Sequence, residues 1–479
     1  MLQTLAIVGI LYLGILIFLA RRAKPDTITS TSYLLGGGNI GAVLGFFTFA
    51  ATLFSTFTLL GMPDFFRVHG VGAWIFLMFS DAVMVFGLIW IGYAFRKKAK
   101  EQTYYGMAGF LQNNYRSKLA GRVAFLGVFL FLLPYVAIQI RGVAIFLHAT
   151  FPTALPMWVW AAALVIIMII YSEVGGLKAI MHSDVLQGIL LLIAIWIVGY
   201  NCLNHFGGVK AMFAEVEKVN AALLSVPGPK GLFDFQFLLG STIAIALLPY
   251  SQPQISTRLV ILKDIKSLHR MAVGIGFFAI LVILPTAFMG MYGAVVYPDL
   301  TTPEFLHQAF IADQSNLIGA IVLIGLIAAA ISTSDSQLFA LGGELRSILV
   351  GEDQQMVKYA RIGIFFFASL ALIFALLSSD ELVLLARTSF AGTSLLAPLI
   401  FTGIFYRNAY RLNTLLPLAT LLGLILFVAS LIGWVPNKVI SVRLDLVLLA
   451  GLSLIAIGGI FLGKKSDGED QGILNGDDA

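Results

Sequence analysis

The sequence predicts an all-α polytopic membrane protein, and three observations carry that prediction. Of the 479 residues, 59% are hydrophobic and only 11% charged, whereas a soluble domain carries roughly 25% charged residues. Apolar runs long enough to cross a bilayer recur along the whole chain. Between them, the basic residues crowd into alternate loops.

The runs fall near residues 2–20, 40–62, 71–95, 119–149, 154–172, 181–201, 234–257, 271–297, 317–343, 359–378, 382–406, 413–433 and 442–463, thirteen in all. The first has no basic residues before it and no convincing small-residue cleavage site, so it is expected to stay as a helix rather than act as a signal peptide. Arg21, Arg22 and Lys24 follow it. With that side taken as cytoplasmic, alternating spans leave 22 of the 30 Lys and Arg in cytoplasmic segments and 6 in outer ones; Arg141 and Arg387 fall within spans. Losing one span would invert half the loops and spoil this bias. It predicts a multi-pass protein of the plasma (inner) membrane, N-terminus outside and C-terminus cytoplasmic. The tail from Lys464 to Ala479 is polar, acidic and Gly-rich, a composition that predicts disorder.

Two spans carry signs of irregular backbone. In the second, Thr48, Thr52, Ser55, Thr56 and Thr58 gather at the centre. In the seventh, Gly240-Ser241-Thr242 precedes Pro249-Tyr250-Ser251-Gln252-Pro253-Gln254. Two interrupted spans five apart match inverted-repeat transporters, whose unwound carbonyls coordinate ions near the midplane. Tight packing of small residues is the competing reading. The expected organisation is a leading helix and inner loop (1–39), a first inverted repeat (40–201), an outer loop (202–233), a second repeat (234–406), two trailing helices (407–463) and a tail (464–479).

The ninth span holds Ile331-Ser332-Thr333-Ser334-Asp335-Ser336-Gln337. Polar side chains inside a membrane are expensive and usually face an ion, a partner or a water-filled path. On a helix, Ser332, Thr333, Ser336 and Gln337 share an arc of roughly 140°. That arc presents neutral oxygens of the kind that hold a hard monovalent cation, with Asp335 at its flank. The plainer alternative is hydroxyls bonded back to carbonyls one turn earlier. Arg141, in the fourth span, lies too far from either end to snorkel and needs a carboxylate partner. Asp184 and the carboxylate of a bound substrate are the two candidates. Arg387 could snorkel or pair with Asp380 or Glu381, a structural role.

Other chemistry is disfavoured. The single Cys202 excludes an intrachain disulfide and a Cys-based zinc site. Gly36-Gly37-Gly38 lacks the Lys-Ser/Thr of a phosphate loop, and the six His residues (69, 148, 182, 205, 269, 307) are scattered rather than clustered at one membrane face. No cofactor, enzyme activity or nucleic acid is expected; the expected partners are the lipid membrane, a co-transported ion and a small solute.

Four co-linear stretches resemble the sodium:solute symporter family. They are Gly175-Gly176-Leu177-Lys178-Ala179 with Asp184-Val185-Leu186-Gln187; Pro253-Gln254-Ile255-Ser256-Thr257-Arg258 with Lys263-Asp264; Ser332-Thr333 with Ser336-Gln337; and Ser389-Phe390-Ala391-Gly392-Thr393-Ser394 with Pro398 and Gly403-Ile404-Phe405-Tyr406-Arg407. The resemblance covers roughly residues 30 to 430. It implies the LeuT-type 5+5 inverted repeat, with one leading and two trailing helices. It also implies a sodium site made by the hydroxyls of Ser332 and Thr333 and the carbonyls of Ala51 and Phe54. Asp184 matches an acid that some relatives use for a second sodium ion or the ion's exit, with Ser336 and Asp335 nearby. A helix-capping role for Asp184 is the plainer alternative. Thr52, Ser55 and Thr56, beside the helix break, and Gln139 and Arg141 are the substrate-facing candidates.

The departures narrow the substrate. Leu53 stands where proline carriers have an aspartate, and Leu248-Pro249 where sugar carriers place an aromatic gate. Arg141, together with Tyr297-Pro298-Asp299-Leu300, which is similar to pantothenate and monocarboxylate carriers, leans towards a small organic acid. The expected function is sodium-coupled import of a small organic solute by alternating access. Proton coupling through Asp184 or Asp335 is a variant. The rival is a transporter-like sensor working with a separate signalling partner, since the sixteen or so residues after the last span leave no room for a kinase.

Overall fold

A computed structural model describes residues 2–23, 29–102, 104–378 and 381–474. Nearly every described element is a helix, because backbone polar groups in hydrocarbon must be satisfied within the chain. The chain opens with α1 (Leu2–Ala23), the short α2 (Ser30–Leu35) and α3 (Ala42–Leu53). A π-helical turn then leads into α4 (Met62–His69). The brief α5 (Gly72–Trp74) continues through a second π turn into α6 (Ser80–Lys100). Next come α7 (Met107–Tyr115), α8 (Lys118–Thr150), the long α9 (Met157–His205) and α10 (Val209–Asn220). The second half runs α11 (Phe235–Ser251), α12 (Pro253–Ile261), α13 (Ile265–Val296), α14 (Thr302–His307), α15 (Asn316–Ile348) and α16 (Asp353–Leu377). It closes with α17 (Leu382–Ser394), α18 (Ala397–Phe405), α19 (Leu415–Leu431) and α20 (Leu444–Leu474), the last two joined by a two-residue β-ladder. Helix thus continues past Lys464, where the composition predicted a disordered tail; residues 475–479 lie outside the described ones.

Eight helices are long and apolar enough to cross a membrane, and two bent pairs, α3 with the π turn and α4 (54°) and α17 with α18 (41°), bring the number to ten. Three shorter apolar helices lie at Met157–Ile170, Phe235–Ser251 and Leu415–Leu431. By length and composition the structure therefore carries eight to ten spans among the described residues, fewer than the thirteen apolar runs, because breaks shorten several of them. Burial orders the bundle. In the most apolar window of α15, 78% is buried, against 12% for α1 and 22% for α20. α15 is the central post, and α1 and α20 lie at the rim.

The breaks have local causes. Phe54 ends α3 in extended geometry (φ −96°, ψ 118°), amid hydroxyl residues that offer the backbone rival hydrogen bonds. Gln252 separates α11 from α12 with nearly the same geometry (φ −110°, ψ 115°); it precedes Pro253, which disfavours helical backbone one residue earlier. α9 kinks at Gly176 (φ 60°), where a Cβ would lie 2.9 Å from the Tyr33 carbonyl, so glycine is required there. The two broken spans are tied together: Ile40 N–H donates to Ile261 O (3.0 Å) and Lys263 N–H to Ile40 O (2.9 Å).

Each face of the bundle has a polar latch. On the face bearing the Ile40 bridge, Glu344 at the end of α15 accepts the Met107 and Ala108 amides of α7, both at 2.6 Å. These are two of the N–H groups a helix start leaves without partners. On the opposite face, Arg67 of α4 donates to Asp64 (2.8 Å) and to the carbonyls of Tyr297 (3.1 Å) and Leu300 (2.9 Å). Arg387 pairs with Asp445 of α20 at 2.6 Å, both nearly buried. This corrects the expected Glu381 partner; Asp380 lies outside the described residues. Arg387 does take the structural role expected of it. Cys202 is buried in α9.

Candidate ion and substrate site

The end of α3 creates the centre of the site. A helix end leaves its last carbonyls without amide donors. Phe54 N–H still reaches Ala50 O at 2.8 Å, but the turn at Phe54 carries Ser55 away, and the Ser55 amide goes instead to Thr58 Oγ1 (3.1 Å). Ala51 O, freed by this, meets α15: Thr333 Oγ1 donates to it at 3.0 Å and Ser332 Oγ stands 3.4 Å away. Both hydroxyls are buried. The two side chains and the carbonyl that were expected to converge do so. Of the expected four, the Phe54 carbonyl is the one not seen to join them; Phe54 is extended (φ −96°, ψ 118°).

Asp184 sits beside this cluster. Its carboxylate accepts Ser332 Oγ and Thr48 Oγ1, each at 2.5 Å. It lies two turns beyond the Gly176 kink, inside the helix, so the capping alternative does not hold. Sequence reasoning missed the cation that faces it. Arg258, from the short α12, donates to Ser336 Oγ at 2.6 Å and to Thr48 Oγ1 at 3.3 Å. It is only 1% exposed. A hydroxyl thus stands between each charge and the next: Asp184, Thr48, Arg258, Ser336. Thr52 Oγ1 closes the ring, 3.2 Å from Ser336 Oγ, while donating back to Thr48 O at 2.7 Å. The signal for Arg258 was present, an Arg in an apolar segment, but its place after Pro253 read as a loop.

Asp335 is fully buried on the α1 side of α15, and neither carboxylate oxygen has a hydrogen-bond partner among the described residues. Tyr12 of α1 lies near it and accepts from Gln187 at 3.0 Å. Ser334 is buried as well, its hydroxyl also without a partner.

On the other side of the break, Gln139 Oε1 accepts the Thr56 amide at 3.1 Å, so Gln139 and Thr56 do meet. Ser55 Oγ accepts the Phe57 amide at 3.3 Å, and Thr56 Oγ1 is buried without a partner among the described residues. Arg141 does not join them. It donates to Ala375 O of α16 at 2.8 Å and lines a separate cavity of about 520 Å³ with His148, Glu304 and His307. Two residues beyond Gln139 on a helix, it points some 200° away. It therefore contacts neither Asp184 nor the helix break, and the expectation of a substrate carboxylate held there loses its residue.

A sequence profile of the sodium:solute symporter family matches residues 33–423. The chain belongs to this family. It is 25% identical over 320 residues to a sodium/pantothenate symporter of Haemophilus influenzae, covering 66% of this chain and 65% of that one. It is 23% identical to a high-affinity proline transporter of Bacillus subtilis, covering 86% of this chain and 88% of the relative. Among solved structures, a Na+-coupled sialic acid symporter in a substrate-bound outward-open state superposes with a TM-score of 0.78 at 16% identity, over 96% of this chain and 98% of that one. A nucleobase-cation-symport-1 family transporter in a closed conformation gives 0.61 at 12% identity, over 89% and 93%. At these identities the structural likeness speaks for the fold. The family and these neighbours are transporters, and the helical, membrane-spanning architecture agrees with them.

Proposed function

We propose that this symporter imports a small organic solute by alternating access, driven by sodium bound between Ala51, Phe54, Ser332 and Thr333. The observation that carries the reading is the meeting of two buried α15 hydroxyls with the Ala51 carbonyl, which the α3 break has stripped of its amide donor. A hydroxyl offers lone pairs once its proton turns away. Rotation of the Ser332 and Thr333 O–H groups would therefore leave three neutral oxygens for a hard cation, with the Phe54 carbonyl as a fourth. Counting the three short apolar helices as spans restores the thirteen of the sequence. The matched breaks at Phe54 and Gln252 suit two inverted repeats of five spans. The charge bias then puts the N-terminus and the Arg67 latch outside, and the C-terminus and the Glu344 latch inside.

In this orientation the outer side holds cavities of about 490 and 520 Å³, while the inner crevice beside Arg258 holds about 10 Å³. Sodium would enter from outside and bridge α3 to α15. A ligand shifts an equilibrium only by its differential affinity for two states, so sodium must favour the form in which these helices touch. Thr52, Ser55, Thr56 and Gln139 flank the same break and would meet the solute. Release inward runs past Asp184 and Ser336 and requires Arg258 to leave Ser336. Asp335 supports a second reading, proton coupling, since its carboxyl is buried and neither oxygen is hydrogen-bonded among the described residues.

The test is sodium-gradient-driven uptake in proteoliposomes. Ser332→Ala/Thr333→Ala should raise the sodium concentration for half-maximal transport by about tenfold or more, the equivalent of about 1.4 kcal/mol. Unchanged sodium dependence would remove the site from this position. Coupling to protons predicts uptake driven by a pH gradient without sodium, abolished by Asp335→Asn.

A further inference from the structure

A second buried acid lies outside this network. Asp81 is in the middle of the apolar rod Gly72–Lys100, only 7% exposed. Among the described residues it makes no hydrogen bond or ion pair. It opens into a small cavity of about 20 Å³ at the α3 break, bounded by Phe54, Phe57, Phe390 and by Leu53, Leu77 and the α11 residues Ile245 and Leu248. Phe390 in turn packs edge-on against Tyr135, with ring centroids 5.1 Å apart at 90°. Asp81 is the one charged group in this lining. Phe57 and Met62 face this cavity, and Leu60 and Gly61 of the same segment face the 490 Å³ cavity beyond. The segment therefore separates Asp81 from the wide entrance.

We infer that Asp81 selects the transported solute, and that this solute is an organic ammonium compound with a net positive charge. The inference rests on the symport reading and narrows its substrate class. A buried carboxylate without donors demands a cation or a proton donor. The aromatic rings beside it attract a cation through their faces. The lining offers no ring of oxygens beyond Asp81, so a sodium ion there would be under-coordinated, whereas an organic ammonium needs few polar partners and gains from apolar contact with its carbon atoms. A carboxylate solute would meet Asp81 as a like charge in a low-dielectric pocket. Sodium and solute would then occupy opposite sides of one helix break: Ala51 turns towards Ser332, while Leu53 and Phe54 turn towards Asp81.

The experiment uses proteoliposomes of the full chain, with 22Na+ entry as readout. Small molecules from yeast extract are separated on a cation exchanger at neutral pH. Stimulation of 22Na+ entry is expected from the retained, cationic fraction. Asp81→Asn should lower that stimulation at least tenfold while keeping the sodium-induced rise in thermal unfolding temperature, and Asp81→Glu should restore part of it. Stimulation confined to the flow-through of neutral and anionic compounds overturns the inference and leaves symport standing, as does full stimulation in Asp81→Asn. If Asp81→Asn does not fold, the partition of activity between the two fractions decides alone. Silence of every fraction overturns sodium symport, and this inference with it.

Discussion

Thr48 and Arg258 make the ion site more than a pair of hydroxyls. Thr48 donates to Asp184 and accepts from Arg258, so the guanidinium lowers the negative potential that sodium would feel without occupying its place. Replacing Arg258 by Gln removes a charge that competes with sodium for Asp184. Sodium affinity, read from ion-dependent thermal stabilisation, is expected to rise several-fold while turnover falls. Arg141 gives the opposite kind of expectation. Because it donates to Ala375 O away from the break, Arg141→Gln should change solute uptake by less than about twofold. A loss of tenfold or more would return it to the transport path. The proposed ion ligands were legible because too many hydroxyls stood in an apolar helix beside a family signature. Asp81 was equally legible by that rule, as a lone acid in the run 71–95 with only Ser80 polar beside it. Arg141 misled because a helical residue's neighbours depend on its direction, which differs by half a turn from that of Gln139.

At the scale of the element, breaks and latches decide what can move. The α17 to α20 contact depends on Arg387 and Asp445, buried at 7% exposure each. Arg443 also donates to Asp445, at 3.2 Å, so removing Arg387 leaves that carboxylate partly paired and should cost less than the about 3–5 kcal/mol of a fully stranded buried charge. Arg387→Met should lower the unfolding temperature in detergent clearly, and Arg387→Met/Asp445→Leu should recover most of the loss. A smaller latch joins α2 to α16. Ser30, through its hydroxyl and its amide, and Arg346 hold the Asp353 carboxyl below the ordinary aspartate range; the Ser30 amide donates to it at 2.8 Å. With the folded value depressed, this contact contributes fully above the unfolded value of about 3.9 and is lost as pH falls through the lower folded one. Hydrogen exchange in α2, corrected for intrinsic rate, should therefore stay constant from pH 8 to 5 and rise below about pH 4. Element positions were readable from apolar run lengths. The joins were not: Gly176 folds two runs into one kinked helix, and Gln252 halves another.

Over the whole molecule, the two faces differ. Wide cavities open on the Arg67 face, whereas the crevice beside Arg258 on the Glu344 face is about 10 Å³ and the cavity of about 490 Å³ between α18 and α20 is lined by none of the cluster's residues; the proposed ion cluster lies where α3 touches α15. Sequence carried the family and the helical architecture because hydropathy and motif order are properties of the linear chain. It did not carry which polar residues share a cavity, since that depends on helix rotation and on breaks of one or two residues. The chain has a single cysteine, and Cys202 is 3% exposed, where thiol reagents find neither access nor thiolate. The natural protein is thus already close to a silent background for site-directed labelling. Cysteines introduced at Leu300 and Glu381 would carry spin or fluorescent labels whose separation tracks the Arg67 face directly, while the wild-type chain serves as the unlabelled control.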